Sequence, residues 1–296
     1  MRIARAAAAL SLLCAATLVH PQTDALSPRL ARIKSTGTIV LGYRDAAVPF
    51  SYVGRDGAPA GYSIDICRAI VATLSQDLGV QNLSIDFARV TAQDRIERVA
   101  SGAVDLECGS TTITAARGER VAFSPTIFIT GTRLAVTRAS TIRGVADLRG
   151  RRLAVVAGTS NETAMRELDR LRRLTLTFVV AGDYGEALAL VANGKADALA
   201  ADEVLVRGVL AEHGLAGDFR IVGPLLTFEA YGIVLPRDEP VLADAVDRTL
   251  RDLAQSREIA WLYDRWFVRP LPGGGRLDMP MSVELTRALE VIGLPP

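Results

Sequence analysis

Hydroxyl, guanidinium and carboxylate side chains stand where strands of the predicted sheets end. Arg44 follows one predicted strand, Ser110-Thr111-Thr112 follow a second, and Asp202 follows a third. In open α/β sheets, ligands bind beyond the carboxyl ends of the strands. The turn Gly158-Thr159-Ser160 opens a predicted helix, whose free backbone N–H groups favour an anion. Each group alone has a structural explanation as a helix cap or a surface charge. Together they predict a site for a zwitterion.

Several kinds of catalytic and metal site are missing from the sequence. Its two histidines are His20 and His213, which argues against a histidine-based triad. No Cys-x-x-Cys pair indicates a zinc or redox site, and no Gly-Lys-Ser/Thr follows the turn at Gly158 as a Walker loop requires. No G-x-G-x-x-G fingerprint opens a βα unit. No metal or other cofactor is therefore expected, and carboxylate-based catalysis stays open as the enzymatic alternative.

Strands and helices alternate along the chain, and this alternation predicts parallel sheets covered by helices. The predicted strands span residues 38–43, 83–90, 104–107, 133–137, 152–156, 175–180, 196–200 and 231–235. The predicted helices span residues 62–78, 91–101, 161–171, 184–192, 203–212, 240–255, 258–267 and 282–291.

Length, composition and an internal repeat indicate two α/β lobes. The chain has 296 residues, 49% apolar and 23% charged, with a net charge of +1. These values indicate a globular protein and argue against broad electrostatic binding to nucleic acid or an anionic membrane. Residues 93–105 and 185–197 resemble each other, since each runs from a helix through Gly102 or Gly194 to a strand near an aspartate. The length suits two lobes of roughly 100–150 residues each.

Residues 1–25 are predicted to be a secretory signal peptide. A basic region precedes an apolar run over residues 6–19, which is too short for a typical transmembrane helix. Small residues in Thr23-Asp24-Ala25 favour cleavage after Ala25, and cleavage nearer Ala16 is the alternative. Cys14 lacks the preceding small residue that a lipidated cysteine needs. We therefore expect a mature chain free in the periplasm or the extracellular space.

The mature chain retains two cysteines, Cys67 and Cys108. An oxidising compartment would allow a disulfide between them, but nothing in the sequence requires one. We therefore expect two buried free thiols.

A set of motifs spread over the mature chain resembles the periplasmic glutamate/aspartate-binding proteins of ABC importers. The most specific is Glu107-Cys108-Gly109-Ser110-Thr111-Thr112 followed by Arg117. The others are Gly42-Tyr43-Arg44, Val48-Pro49-Phe50-Ser51-Tyr52, Gly61-Tyr62-Ser63, Ala122-Phe123-Ser124, Thr126-Ile127-Phe128, Gly131-Thr132-Arg133-Leu134, Gly158-Thr159-Ser160, Glu229-Ala230-Tyr231-Gly232 and Arg265-Trp266-Phe267.

This resemblance implies an α/β, two-lobed periplasmic binding protein fold of type II. Each lobe would be a mostly parallel sheet flanked by helices, and two crossovers would form the hinge. Lobe 1 would comprise residues 26–131 and 230–296, and lobe 2 residues 132–229. The protein would be a monomer that captures its ligand between the lobes and delivers it to a membrane permease. The expected closure is about hinge segments 130–133 and 227–231.

The resemblance also implies a role for each site residue. Arg117, with Thr112 and the turn at Thr159 and Ser160, would hold the α-carboxylate, because a guanidinium forks onto a carboxylate with two hydrogen bonds. Asp202 and Ser110, helped by Thr112, would bind the α-ammonium. Arg44 and Arg95 would face the side-chain carboxylate of glutamate or aspartate.

Two positions depart from the family pattern. Ala92 stands where the family has a serine near the distal carboxylate, and Tyr184 stands where it has a histidine. Each hydrogen bond lost to a charged group costs about 1.5–3 kcal/mol. Glutamine, asparagine or another amino acid is therefore the alternative ligand.

Two further classes of function stay open. A periplasmic enzyme similar to cyclohexadienyl dehydratases would use cleft carboxylates, for which Asp183 or Glu203 are candidates. A soluble partner of a receptor kinase is the other alternative.

Overall fold

The computed structural model describes residues 26–295. The predicted signal peptide, with Cys14 and His20, lies outside these residues. The strands are β1 Thr38–Tyr43, β2 Ala46–Ala47, β3 Ser51–Val53, β4 Pro59–Ala60, β5 Ser84–Arg89, β6 Leu106–Thr112, β7 Ala122–Phe123, β8 Phe128–Thr130, β9 Thr132–Thr137, β10 Arg152–Val156, β11 Thr177–Ala181, β12 Ala198–Asp202, β13 Phe219–Val222 and β14 Glu229–Leu235.

Ten α-helices accompany the strands in the described part of the chain. They are α1 Pro28–Thr36, α2 Tyr62–Leu78, α3 Arg95–Ala100, α4 Ala115–Gly118, α5 Ser160–Arg172, α6 Tyr184–Ala192, α7 Glu203–Glu212, α8 Pro240–Gln255, α9 Glu258–Tyr263 and α10 Val283–Val291. A 3₁₀ turn spans Val145–Leu148, and a π-helical turn, Asp264–Val268, continues α9. Within residues 26–295, no helix combines the length and apolar character that crossing a membrane requires.

Two larger mixed sheets organise the molecule. The first has the order β5-β1-β6-β14-β7, with β8 also paired to β14, and the second has the order β11-β10-β12-β9-β13. In each sheet, three neighbouring strands run parallel and the remaining pairings are antiparallel. Below, lobe 1 is the part built on the first sheet and lobe 2 the part built on the second. A small third sheet, β2-β3-β4, belongs to lobe 1.

The predicted repeat corresponds to the same pair of aspartate hydrogen bonds in both sheets. In lobe 1, Asp105 accepts a hydrogen bond from the backbone N–H of Val40 at 2.9 Å and donates its own N–H to the Val40 carbonyl at 2.8 Å. In lobe 2, Asp197 makes the same pair of bonds with Arg152, each at 2.8 Å. The aspartate therefore fixes the start of one parallel strand against its neighbour in both lobes.

The chain crosses between the two sheets twice. The first crossing lies between β8 and β9, and the second lies between β13 and β14. The crossings touch, because the Thr132 N–H donates to Thr227 Oγ1 at 3.0 Å. Gly131 permits this approach, since a Cβ at this position would lie 2.1 Å from the Thr227 carbonyl oxygen. These contacts place both crossings side by side at the base of the cleft.

Strand β6 extends farther than its sequence pattern predicts. The prediction ended this strand at residue 107, with Ser110, Thr111 and Thr112 after it, whereas β6 continues to Thr112. Strand β14, distant in the sequence, pairs with Thr111 and Thr112 and holds this segment in the sheet. All seven residues of β6 are buried, so the three hydroxyls belong to a central strand and not to a loop.

The expectation of free thiols at Cys67 and Cys108 is wrong. The two residues form a disulfide, with Cα atoms 6.2 Å apart. Helix α2 packs on β6, and this packing brings together two positions 41 residues apart in sequence. A covalent closure of this length constrains the unfolded chain and stabilises the fold by about 2–4 kcal/mol.

Candidate ligand-binding cleft

The nine predicted site residues converge between the two sheets. Lobe 1 contributes Arg44, Arg95, Ser110, Thr112 and Arg117, and lobe 2 contributes Thr159, Ser160, Tyr184 and Asp202. All are buried except Arg117 and Ser160, which are partly buried. Tyr184 interacts electrostatically with Arg44, Asp202, Arg95 and Arg117, in that order of strength. The structure thus brings together charged groups that are far apart in the sequence.

The two lobes touch across the cleft. Thr112 Oγ1 of lobe 1 lies 3.0 Å from Ser160 Oγ of lobe 2. Arg117 Nη2 donates to the Gly158 carbonyl at 3.3 Å. A Cβ on Gly158, whose φ is +74°, would lie 2.7 Å from the Gln93 Cα. The structure is therefore the closed arrangement of the cleft, in which a glycine is needed at this contact.

One end of the cleft contains hydrogen-bond donors without acceptors. We call it the arginine end and define it by Arg44, Arg95, Ser110 and Tyr184. Nε and Nη1 of Arg44, Nε of Arg95 and Oγ of Ser110 are buried and have no hydrogen-bond partner among residues 26–295. Arg95 Nη1 donates to the Ser110 carbonyl at 3.3 Å. Buried guanidinium N–H groups without acceptors are costly, so the unpartnered nitrogens of Arg44 and Arg95 suit an anion, although the buried Glu107 Oε1 also lacks a hydrogen-bond partner among these residues.

The arginines repel one another, and a buried carboxylate opposes that repulsion. Burial lowers the pKa of Arg95 to about 10; nearby Glu107 counteracts this effect, and Arg117 and Arg44 add to it. Glu107 is fully buried, and its Oε2 accepts a hydrogen bond from Thr111 Oγ1 at 2.6 Å. Glu107 stood in a predicted motif without a role, although an acid inside a strand of apolar and small residues is a usable signal.

Tyr184 is the lobe 2 member of the arginine end. It follows Asp183, which caps α6 by accepting a hydrogen bond from the Glu186 N–H at 2.8 Å. The Tyr184 side chain is only 3% exposed, and within the described residues its hydroxyl has no hydrogen-bond partner. Burial raises the pKa of Tyr184 to about 12, so the hydroxyl keeps its proton and serves as a donor. Ala92, buried between β5 and α3, supplies no side-chain donor.

The start of α5 forms a second anion-binding feature. Thr159 Oγ1 caps the helix by accepting from the Glu162 N–H at 3.2 Å, and it donates to the Val156 carbonyl at 2.7 Å. The Thr159 side chain and the Glu162 N–H are therefore occupied, and within residues 26–295 the N–H groups of Ser160 and Asn161 have no protein acceptor. Arg117 Nη1 donates to the Thr112 carbonyl at 2.7 Å, which fixes the guanidinium beside this turn.

The opposite end of the cleft is a network of acceptors. We call it the carboxylate end and define it by Asn161, Asp202, Glu229 and Tyr231. Asp202 accepts from Asn161 Nδ2 at 2.8 Å and from the Tyr231 hydroxyl. Burial and the neighbouring Glu229 raise the pKa of Asp202 to about 7, although the hydrogen bonds from Tyr231 and Asn161 work in the opposite direction.

Three members of the carboxylate end were not predicted as site residues. Glu229 and Tyr231 stood in a quoted motif without a role, and Asn161 stood at the predicted start of α5. Each is a polar residue at a buried position. This feature indicates a site residue only once β14 is known to cross the base of the cleft. Tyr231 is fully buried, and its ring packs on Phe50 with centroids 5.2 Å apart.

Comparisons with known proteins agree with this geometry. The model of the bacterial extracellular solute-binding proteins, family 3, matches residues 39–269. An L-glutamate/L-aspartate-binding protein of Pseudomonas aeruginosa is 35% identical over 291 residues, which is 98% of this chain and 96% of the relative. A glutamate/aspartate import solute-binding protein of Escherichia coli is 31% identical over 289 residues, 98% of this chain and 95% of that protein. The crystal structure of a mutant of ArgBP from T. maritima has a TM-score of 0.72 and 25% identity, covering 81% of this chain and all of that one.

Proposed function

The chain belongs to family 3 of the bacterial extracellular solute-binding proteins, and we propose that it binds L-glutamate or L-aspartate for an ABC importer. The observation that carries this proposal is the pair of buried arginines, Arg44 and Arg95, with unpartnered nitrogens in a closed cleft. A second carboxylate on the ligand would give these nitrogens their acceptors. The names of the relatives point to the same ligand class.

The α-amino-acid group would bind between Arg117, the start of α5 and Asp202. Arg117 and the first turn of α5 together suit a carboxylate, since both present N–H donors. Asp202 suits an ammonium, because a buried carboxylate needs a positive partner. Ser110 and Thr112 would complete this part of the site with their hydroxyls.

The side-chain carboxylate would face Arg44 and Arg95. Tyr184 would donate a third hydrogen bond from lobe 2, in place of the donors that Ala92 does not supply. This arrangement supports an acid over an amide, because an amide nitrogen would set donor against donor at the arginines.

Ligand capture would couple to closure of the lobes. We propose lobe 1 as residues 26–131 and 230–296, lobe 2 as residues 132–229, and the hinge as segments 130–133 and 227–231. Contacts from both lobes to one ligand supply the differential affinity that favours the closed state. The protein would act outside the cytoplasm as a monomer after removal of residues 1–25, and its closed form would dock on the membrane permease.

Binding without turnover is the activity that the cleft supports. Asp183 is engaged in capping α6, and Glu203 pairs with Arg133 at 3.0 Å and with Arg207 at 2.7 Å. Both candidate catalytic carboxylates are therefore held in structural contacts, which argues against the catalytic role considered for them.

Isothermal titration calorimetry of ligand-stripped mature protein tests the proposal. We expect tight, saturable binding of L-glutamate or L-aspartate and much weaker binding of L-glutamine and L-asparagine. Binding of an amide alone would contradict the acidic ligand and leave the family assignment in place. Small-angle scattering with and without ligand checks closure, and no compaction at saturation would contradict the hinge.

A further inference from the structure

Glu229 is a buried carboxylate at the base of the cleft that the proposed ligand contacts leave unused. It is 3% exposed and begins β14, where the chain returns from lobe 2 to lobe 1. Its Oε2 accepts a hydrogen bond from Ser160 Oγ at 2.9 Å. Among the residues that the structure describes, its other carboxylate oxygen has no hydrogen-bond donor.

The fold turns Glu229 and Asp202 toward the same space. Glu229 and Tyr231 are two residues apart on one strand, so their side chains lie on the same face. The Tyr231 hydroxyl donates to Asp202. On the other side, Ser160 binds Glu229, and the next residue, Asn161, binds Asp202 at 2.8 Å. The contacts form a ring that encloses the two acids.

Neither acid has an ion-pair partner at contact distance in residues 26–295. Asp202 is faced by Glu229 and Tyr231 on β14, Asn161 on α5, Tyr184 on α6 and, at longer range, Arg95 on α3. Glu229 is faced by Ser160 on α5, Tyr231 on its own strand and, at longer range, Arg117 on α4. Two buried carboxylates that face each other need a proton or a cation between them.

We propose that Glu229 is a second carboxylate of the ammonium subsite, and that it makes binding select for a ligand with a positively charged amino group. This inference rests on the proposed function, since the cation is the α-ammonium of the bound amino acid. The ammonium enters the ring of contacts and replaces the proton that Asp202 holds in the empty cleft.

This proposal predicts how the affinity for the amino acid changes with pH. The pKa of Asp202 in the closed, empty cleft is raised to about 7, first by burial and then by Glu229. Below that pH Asp202 holds a proton that the ammonium must displace, and above it Asp202 is ionised and ready to bind the ammonium. Affinity should therefore rise with pH until Asp202 is ionised in the ligand-free protein, and level off by about pH 8 at the latest, because opening of the cleft relieves the burial that raises this pKa.

The test measures the affinity for L-aspartate and L-glutamate from about pH 5.5 to about pH 8.5, the range in which Asp202 should lose its proton. Wild-type protein is compared with Glu229→Gln, Glu229→Asp and Ser160→Ala. Glu229→Gln should bind roughly tenfold more weakly at the high-pH plateau. The midpoint of its curve of affinity against pH should also lie at lower pH than that of wild type, because the charge that raises the Asp202 pKa is gone. Glu229→Asp should restore the wild-type midpoint.

Ser160→Ala separates the charge of Glu229 from its hydrogen bond. This variant loses the bond to Glu229 and keeps the charge, so it should weaken binding without moving the midpoint. Coincident midpoints for wild type and Glu229→Gln would overturn the inference while leaving the proposed function intact. Absence of amino-acid binding by wild-type protein would instead contradict the proposed function.

If Glu229→Gln lacks a native circular dichroism spectrum, a comparison of two ligands on wild-type protein tests the inference instead. Succinate has the two carboxylates of aspartate and no ammonium. Once both carboxyls of succinate are ionised, its affinity should fall as pH rises further, whereas that of aspartate should not fall. Parallel profiles for the two ligands would overturn the inference.

Discussion

The two ends of the cleft solve the problem of buried charge in opposite ways. At the arginine end, donors of Arg44, Arg95 and Ser110 are buried without acceptors in the described structure. At the carboxylate end, both oxygens of Asp202 accept hydrogen bonds from the protein, from Asn161 and from Tyr231. One end thus depends on a ligand for its acceptors, whereas at the other the fold has already positioned Asp202, which lacks only a positive charge beside it.

This difference indicates where binding energy and positioning come from. Unsatisfied buried donors gain most from an incoming acceptor, because their desolvation is already complete. A prearranged carboxylate contributes by holding its geometry, since little ordering remains to be done on binding. Substitutions at the arginine end should therefore change affinity more than stability.

The largest effect should come from Arg95→Ala. The variant removes a buried guanidinium that the ligand would pair, so affinity for an acidic amino acid should fall by about 2–5 kcal/mol, roughly 30-fold or more. Ligand-free protein should lose much less stability than affinity, because the lost attraction between Arg95 and the buried Glu107 is offset by the lost repulsion of Arg95 from Arg117 and Arg44. Calorimetry and thermal melts measure the two quantities.

Arg220→Ala is the matched control for Arg95→Ala. Arg220 lies on β13, and its Nε is likewise buried without a partner within the described residues. It is not one of the residues at the cleft, so its removal should leave affinity unchanged. Equal losses in both variants would break the comparison between the two ends.

A smaller effect is expected from Tyr184→Phe. The variant deletes one hydroxyl that has no partner in the described structure, so affinity should fall by about 0.5–1.5 kcal/mol, up to roughly tenfold. Tyr263→Phe serves as the control, because Tyr263 stacks on Phe128 in the core with ring centroids 5.9 Å apart. Unchanged affinity of Tyr184→Phe in calorimetry would remove Tyr184 from the arginine end.

The smallest effect on affinity should come from the double variant Cys67→Ser, Cys108→Ser. The disulfide joins α2 to β6 through Cys108, which lies two residues before Ser110, and it does not supply a ligand group. We expect affinity within about twofold of wild type and stability lower by about 2–4 kcal/mol. Denaturant unfolding measures the loss, and reduced wild-type protein should match the variant. A large loss of affinity would mean that the disulfide positions the arginine end.

Local patterns predicted several elements with their observed bounds. The strand Thr38–Tyr43 and the helices Tyr62–Leu78, Tyr184–Ala192, Glu203–Glu212 and Pro240–Gln255 match the prediction. Each is defined by periodicity and by residues next to it in sequence, as in the helix that ends at Gly79 with a φ of +64°. Information of this kind is present within one window of the chain.

The sequence also predicted the family, because its motifs are contiguous and specific. Six of the nine candidate site residues lie in these motifs, whereas Asp202 was named from its place after a strand and Arg95 and Tyr184 from the family resemblance. The structure brings all nine to one cleft. Their individual roles remain predictions, to be tested by the binding experiments above.

Tertiary structure alone decided the features that depend on residues distant in sequence. The length of β6 depends on pairing with β14, and the Cys67–Cys108 disulfide depends on packing of α2 over β6. The facing of Asp202 and Glu229 depends on a strand that returns through the base of the cleft. A sequence determines each local element through its own neighbours, but the electrostatics of a buried site depends on which elements the fold places side by side.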